Sequence, residues 1–213
     1  MLFRVWYTYE SLTRADIRNP DSKALNYYHQ LIRFIPSVFL LSNNFRKNNN
    51  AEVFFLAPNE KNRLLFKIVF SGEKLRYLSP DWLSSGALLV KAFKKYKKNE
   101  ENMHKKDIMF VNPGVHVHLF NEDKIDEFQF SNPIFVEGDK LELDKFNTFL
   151  NLDLTNKITI TFDFISKNIN PLFFTNYKQI AVESFSQTIT IINFRIDNYS
   201  TNEGKESGPR HDK

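Results

Sequence analysis

The sequence contains no cysteine, which removes a disulfide framework, a thiolate nucleophile and any cysteine-based zinc site, and leaves a cytoplasmic setting as the expectation. Glycine is nearly as scarce. Of six glycines in 213 residues, Gly204 and Gly208 fall in the C-terminal tail, and Gly72, Gly86, Gly114 and Gly138 stand far apart. Dinucleotide-binding turns and P-loops need clustered glycines so that backbone amides can approach phosphates, so ordinary Rossmann enzymes and P-loop NTPases are excluded. No run approaches the roughly 18 uncharged apolar residues of a membrane span. The stretch Met1 to Glu10 lacks the basic head and apolar core of a secretory signal, so a soluble protein with no membrane partner is expected.

What is abundant is apolar and aromatic mass. Hydrophobic residues make up 42% of the chain and there are 22 phenylalanines, enough to offset the ordering entropy of a packed core. The length suits a single domain over residues 1–198, and the polar, glycine-containing stretch 199–213 reads as a disordered tail. A net charge of +4 and a pI near 9.1 lean towards a nucleic-acid partner.

Along the chain, Met1 to Tyr9 reads as a first strand. Ser22 is a helix cap candidate, followed by Leu25, Tyr28, Leu31, Ile32 and Ile35 at helical spacing until Pro36 kinks or divides the helix. Ser42 to Asn50 reads as a loop, and Glu52 to Ala57 and Leu64 to Phe70 as buried strands. Ser79-Pro80-Asp81 predicts a helix start, with Ser as cap and Pro at the first helical position, and the helix should run to about Lys98. Strands are expected at 107–111, 115–120, 132–138, 158–164 and 188–194, with a short helix over 143–150. The alternation favours an α/β sheet with parallel pairs.

Four blocks in order resemble one family. Phe70, Gly72, Leu75, Arg76, Leu78, Ser79, Pro80 and Asp81 match a motif preceding a lysine-ended helix, although Trp82-Leu83 stands where the family has Glu-Arg. Pro113, Gly114, Val115 and Val117 match a second motif; Asn132, Pro133, Ile134, Phe135, Gly138 and Asp139 a third; and Ile189, Ile191 and Ile192 a closing one, with Thr188 where the family has Cys. The segment Phe39 to Ser42 and Arg46 also agree. Over residues 1–197 the chain thus resembles the archaeal tRNA pseudouridine-54 N1-methyltransferases of the SPOUT superfamily. The resemblance implies an α/β sheet flanked by helices with a C-terminal trefoil knot, S-adenosyl-L-methionine as cofactor, tRNA as substrate and a homodimer. The rival functions are a pseudouridine N1-methyltransferase of ribosomal RNA and a non-catalytic RNA-binding relative.

Carried over residue by residue, the resemblance places the cofactor against Val136, Glu137, Gly138 and Asp139 in a first loop, Ile160 and Thr161 in a middle one, and Gln187, Thr188 and Ile189 in a third. Ile180 to Ser184 is the alternative middle segment, because the distance from 160 to 188 exceeds the family spacing. The family's Arg and Asp that approach the target base fall at Tyr27 and His29. Methylation at pseudouridine N1 needs a proton acceptor, a role open to His29, whose alternative is a partly buried helix residue bonded to a carbonyl. Lys91, Lys94, Lys95 and Lys98, with Arg33 and Arg46, form the candidate RNA clamp, against the alternative of a solvated helix end. His116 and His118 share one strand face, but with no third ligand evident cross-strand packing is the expectation and no metal is assigned.

Overall fold

The computed structural model describes residues 1–41, 44–58, 63–100, 108–120, 133–137, 159–163, 178–181, 189–190 and 193. Its centre is an eight-stranded sheet in the order β10-β8-β9-β1-β4-β5-β7-β6. The strands are β1 (Leu2–Thr8), β4 (Asn50–Leu56), β5 (Leu64–Ser71), β6 (Ile108–Asn112), β7 (Val115–Leu119), β8 (Pro133–Glu137), β9 (Thr159–Asp163) and β10 (Lys178–Ala181). A two-stranded ribbon pairs β2 (Leu40–Leu41) with β3 (Asn44–Phe45), and β3 lies inside the stretch expected to be loop. On the sheet pack α1 (Arg14–Arg18), α2 (Lys23–Phe39) and α3 (Trp82–Asn99), and Ile189, Thr190 and Asn193 are helical as well.

The sheet is half parallel and half antiparallel. Strands β10, β8, β9, β1 and β4 pair with one another in parallel, whereas β5 joins β4, and β7 and β6 follow, by antiparallel pairing. The expectation of parallel pairs therefore holds for β10, β8, β9, β1 and β4 and fails for β5, β7 and β6, since β4–β5 and β6–β7 are joined by short connections that permit no crossover.

Strand periodicity sorts the side chains. Phe3, Val5 and Tyr7, Ala51, Val53 and Phe55, Phe66, Ile68 and Phe70, and Val115, Val117 and Leu119 face the helices and form one buried core. A fully buried phenylalanine contributes roughly 1.5–3 kcal/mol. The other face carries Arg4, Trp6, Glu52, Phe54, Lys67, His116 and His118. There Glu52 is held between Arg4 Nε at 2.7 Å and Lys67 Nζ at 2.6 Å, and Trp6 stacks on Phe54 at 4.7 Å.

Helix α2 starts where the sequence predicts, with Ser22 Oγ accepting from Leu25 N, but Pro36 does not divide it. Proline at 36 removes the amide that would bond the Ile32 carbonyl. That carbonyl is instead taken by Ser85 Oγ of α3 at 2.8 Å, with Ser85 fully buried. The helix continues to Phe39. Helix α3 also begins later than expected. Asp81 is the cap, accepting from Ser84 N at 2.8 Å, while Ser79 donates to the Asp81 carboxylate and Pro80 lies outside the helix.

The expected last strand over 188–194 is corrected: Ile189, Thr190 and Asn193 are helical. Ile189 is fully buried in the core, and Asn193 accepts from Asn49 Nδ2 at 3.2 Å and donates to the Ser37 carbonyl at 3.3 Å. β-Branched residues suggest a strand by propensity, but docking beside α2 decides the outcome. The expected helix over 143–150 and the tail 199–213 lie outside the described residues. No helix among the described residues is long and apolar enough to cross a membrane.

Candidate functional site

The topology points to one edge. The chain leaving β1 passes through α1 and α2 to β4 on one side, whereas β9 is followed by β10 on the opposite side, beyond β8. Adjacent parallel strands whose connections depart in opposite directions open a crevice at their carboxyl ends, where open α/β sheets bind ligands. By that rule the expected ligand position lies between Thr8 of β1 and Asp163 of β9.

Three strand ends meet beside it. Asp163 pairs with Trp6 on one side and with Glu137 on the other, and Glu137 pairs with Ala181 of β10, so one register row crosses all four strands. Val136 and Glu137 of the expected first cofactor segment thus stand next to β9, which carries Ile160 and Thr161; Ile160 pairs with Ile134 and Thr161 with Phe135. Both candidates for the middle segment contain a strand: Ile160 and Thr161 lie on β9, and Ile180 lies on β10 next to Val136. Gly138, Asp139, Gln187 and Thr188 lie outside the described residues. Ile189 is buried in the core, four residues before Asn193, which bonds at the opposite, amino edge of the parallel strands, beside the end of α2.

On the helix side, this edge is rimmed by tyrosines. The chain after β1 is fixed by Tyr28, whose hydroxyl accepts from Glu10 N at 2.7 Å and donates to Glu10 O at 2.9 Å. Tyr27 donates to the Thr8 carbonyl at 3.0 Å. Its ring meets Tyr7 and Tyr28 edge-on at 5.9 and 4.8 Å, and burial holds its phenol above the usual tyrosine range, with Glu10 adding to the shift. His29 is exposed on α2 with no hydrogen-bond partner among the described residues. Burial and the nearby Arg33 hold its imidazole below the usual histidine range. The carbonyl-bonded, partly buried histidine weighed from sequence is therefore corrected to an exposed one.

The basic residues divide between edges. Lys91, Lys94, Lys95 and Lys98 are all exposed and recur at the spacing of one helix face. The carboxyl end of α3 reaches the same edge, because Tyr96 packs against Tyr9, just past β1, at 5.4 Å. Lys91 Nζ reaches Asn112 Oδ1 at 3.4 Å. Arg33 is exposed on α2 one turn beyond His29. Arg46 is not brought to this face: it sits at the amino edge with its guanidinium on the Asn193 carbonyl at 3.5 Å. His116 meets Phe110 edge-on at 5.8 Å, and His118 is pushed down to about 4 by burial and by Lys67. Among the described residues no three potential metal ligands converge.

Sequence reasoning passed over two residues at this edge. Asp163 carried no motif, and Tyr27 was visible only as a replacement for an arginine; its spacing one residue before the buried Tyr28 was the available signal.

These features define a mixed α/β fold whose parallel strands end along one edge beside Tyr27 and Tyr28. Among solved structures, the chain is similar to the Archaeoglobus fulgidus protein Nep1 bound to S-adenosylhomocysteine, with a TM-score of 0.50 and 11% identity, covering 93% of this chain and 98% of that one. No family model matches the sequence. No curated protein matches it either.

Proposed function

We propose that the protein is an S-adenosyl-L-methionine-dependent RNA methyltransferase that acts on N1 of a pseudouridine, with the T-loop of tRNA, position 54, as its substrate. The observation that carries this reading is the adjacency of β8 and β9: the two segments assigned to the cofactor, 136–137 and 160–161, lie on neighbouring parallel strands ending at the switch-point edge. The residue types suit the ligand. Glu137 and Asp163 are register partners on β8 and β9, and acidic residues suit ribose hydroxyls and the positive amino and sulfonium groups of S-adenosylmethionine. The bound cofactor supplies the methyl group. The likeness to a Nep1 structure holding S-adenosylhomocysteine supports the same assignment.

The lysine face of α3 supports RNA as the partner, since phosphate neutralisation needs cations on one accessible surface. A chain that leaves β9, reaches β10 beyond β8 and then docks at α2 through Asn193 supports the trefoil knot. The reading also carries a homodimer acting in the cytoplasm.

The test is calorimetric titration of the full chain with S-adenosylmethionine and S-adenosylhomocysteine, followed by methyl transfer to tRNA and ribosomal RNA transcripts bearing pseudouridine or uridine. Saturable binding of one ligand per subunit, lost in Gly138→Trp, with transfer only to pseudouridine-containing tRNA, is expected. Charge reversal at Lys91, Lys94, Lys95 and Lys98 should weaken RNA binding and flatten its salt dependence. A folded protein that binds no cofactor at millimolar concentration overturns the enzyme reading and leaves an RNA-binding protein.

A further inference from the structure

Among the described residues, Tyr77 is the one non-glycine residue with a left-handed backbone, at φ 64°. A bulky side chain there is strained and persists only where its surroundings over-determine it. Before it, Leu75 is buried and its amide donates to the Ser71 carbonyl at 2.8 Å. After it, Ser79 N donates to Ser84 Oγ at 3.0 Å, and Ser84 Oγ donates back to the Ser79 carbonyl at 3.0 Å, which ties the loop to the first turn of α3. Leu75 and Leu78 pack on the core, while the inverted backbone between them leaves Tyr77 81% exposed. Trp82 and Leu83, at the start of α3, are 39% and 47% exposed. Three large apolar side chains are thus uncovered in one short stretch of chain that is pinned at both ends.

The charges around them are mixed. Glu73, Lys74, Arg76 and Asp81 are all exposed, two acids and two bases in the same stretch. A nucleic-acid surface collects cations, as the lysine face of α3 does, whereas a patch of balanced charge does not draw phosphates. Tyrosine, tryptophan and arginine are the residues that carry most of the energy of protein interfaces, inside a polar rim. A twofold interface sets a surface against its own copy, so its cations must find carboxylates within the same patch.

We propose that the surface formed by residues 73–81 and the first turn of α3 is where two copies of this chain meet, with Tyr77 and Trp82 as its apolar centre and Glu73, Lys74, Arg76 and Asp81 as its self-complementary rim. The inference rests on the homodimer of the reading above and gives it a surface. The strained turn has a part in it: a ring already held outward loses less freedom on association than one that must first be ordered.

The experiment is size-exclusion chromatography with light scattering on the full chain over a wide range of concentration, with circular dichroism to follow the fold. The wild-type mass should rise from 25.2 kDa to twice that value. Tyr77→Gly removes the ring and suits the left-handed turn, so the fold is kept while the mass stays that of one chain; Trp82→Ser should behave likewise. Charge supplies the second arm. A chain carrying Lys74→Glu with Arg76→Glu, and another carrying Glu73→Lys, should each stay monomeric where the wild type is dimeric, and an equimolar mixture should regain the dimer. A dimer that persists in Tyr77→Gly, or charge variants that do not recover on mixing, overturns this surface and leaves a homodimer formed elsewhere. Variants that lose RNA binding with the mass unchanged also overturn it and assign the patch to RNA. A wild-type chain that stays monomeric at every concentration brings down the homodimer and this surface together, while the cofactor titration tests the methyltransferase reading separately.

Discussion

The contact between Ser85 and Ile32 explains how a proline resides in the last turns of α2, and its strength is measurable. In Ser85→Ala the Ile32 carbonyl loses its donor, and Pro36 offers none in its place. A buried acceptor left unsatisfied costs about 1–3 kcal/mol. For a chain of this size, each kcal/mol moves the midpoint by about 2–4 °C, so a loss near 2 kcal/mol lowers Tm by about 6 °C. The informative step is the second background. Pro36→Ala restores an amide four residues after Ile32, so the same carbonyl regains a helical donor. In that background Ser85→Ala should cost less than about 0.5 kcal/mol, giving a coupling of roughly 1–2 kcal/mol between two residues 49 positions apart in sequence. Urea unfolding of the four proteins, followed by circular dichroism, measures the cycle. Equal cost of Ser85→Ala in both backgrounds refutes the account of how the helix tolerates Pro36.

Two further predictions concern the outer sheet face and the turns. The carboxylate of Glu52 is pushed up by burial, but Lys67 and Arg4 prevail and hold it below the usual glutamate range, so its contribution is present above that range and lost as pH falls through the folded value. His118 is held neutral down to about 4, so the unfolded chain takes up its proton first and stability declines from about pH 6.5 towards 4. Stability curves should separate the two: His118→Gln flattens the upper window, and Glu52→Gln lowers stability at neutral pH and flattens the lower one. A Glu52→Gln curve parallel to wild type below pH 4.5 contradicts the assignment. Gly114 has φ +77°, and a Cβ there meets Leu75 N at 2.4 Å, so Gly114→Ala should cost at least about 2 kcal/mol. Gly86→Ala, within α3, meets the Ile17 side chain, its Cδ1 at 3.1 Å and its Cγ2 at 3.4 Å, and gains up to about 1 kcal/mol of helix propensity, so its sign should be neutral or stabilising. Thermal denaturation of both variants decides the pair, and equal losses would refute the contrast.

Local signals in the sequence were sufficient for much of the fold. Alternating apolar residues in Leu64 to Ser71 and Val115 to Leu119 specify strands because a half-buried sheet sorts side chains with a period of two. Ser22 capped its helix because a side-chain oxygen three residues before an amide is a local arrangement. These are near-neighbour effects, and the chain carries them without its fold.

What the tertiary structure decided depended on partners distant in sequence. Pro36 disfavours a continuing helix in isolation, and the carbonyl it leaves without an amide finds its donor in Ser85, on another helix. The segment at Ile189 has the composition of a strand, yet it is helical and buried beside α2. Tyr27 and His29 are two residues apart and indistinguishable as candidates from spacing. The fold separates them, because the 3.6-residue turn of α2 sends one ring to the end of β1 and the other to solvent. Sequence thus supplied the elements and the candidate chemistry, while the strand order, which no local interaction encodes, determined which candidates meet at one edge.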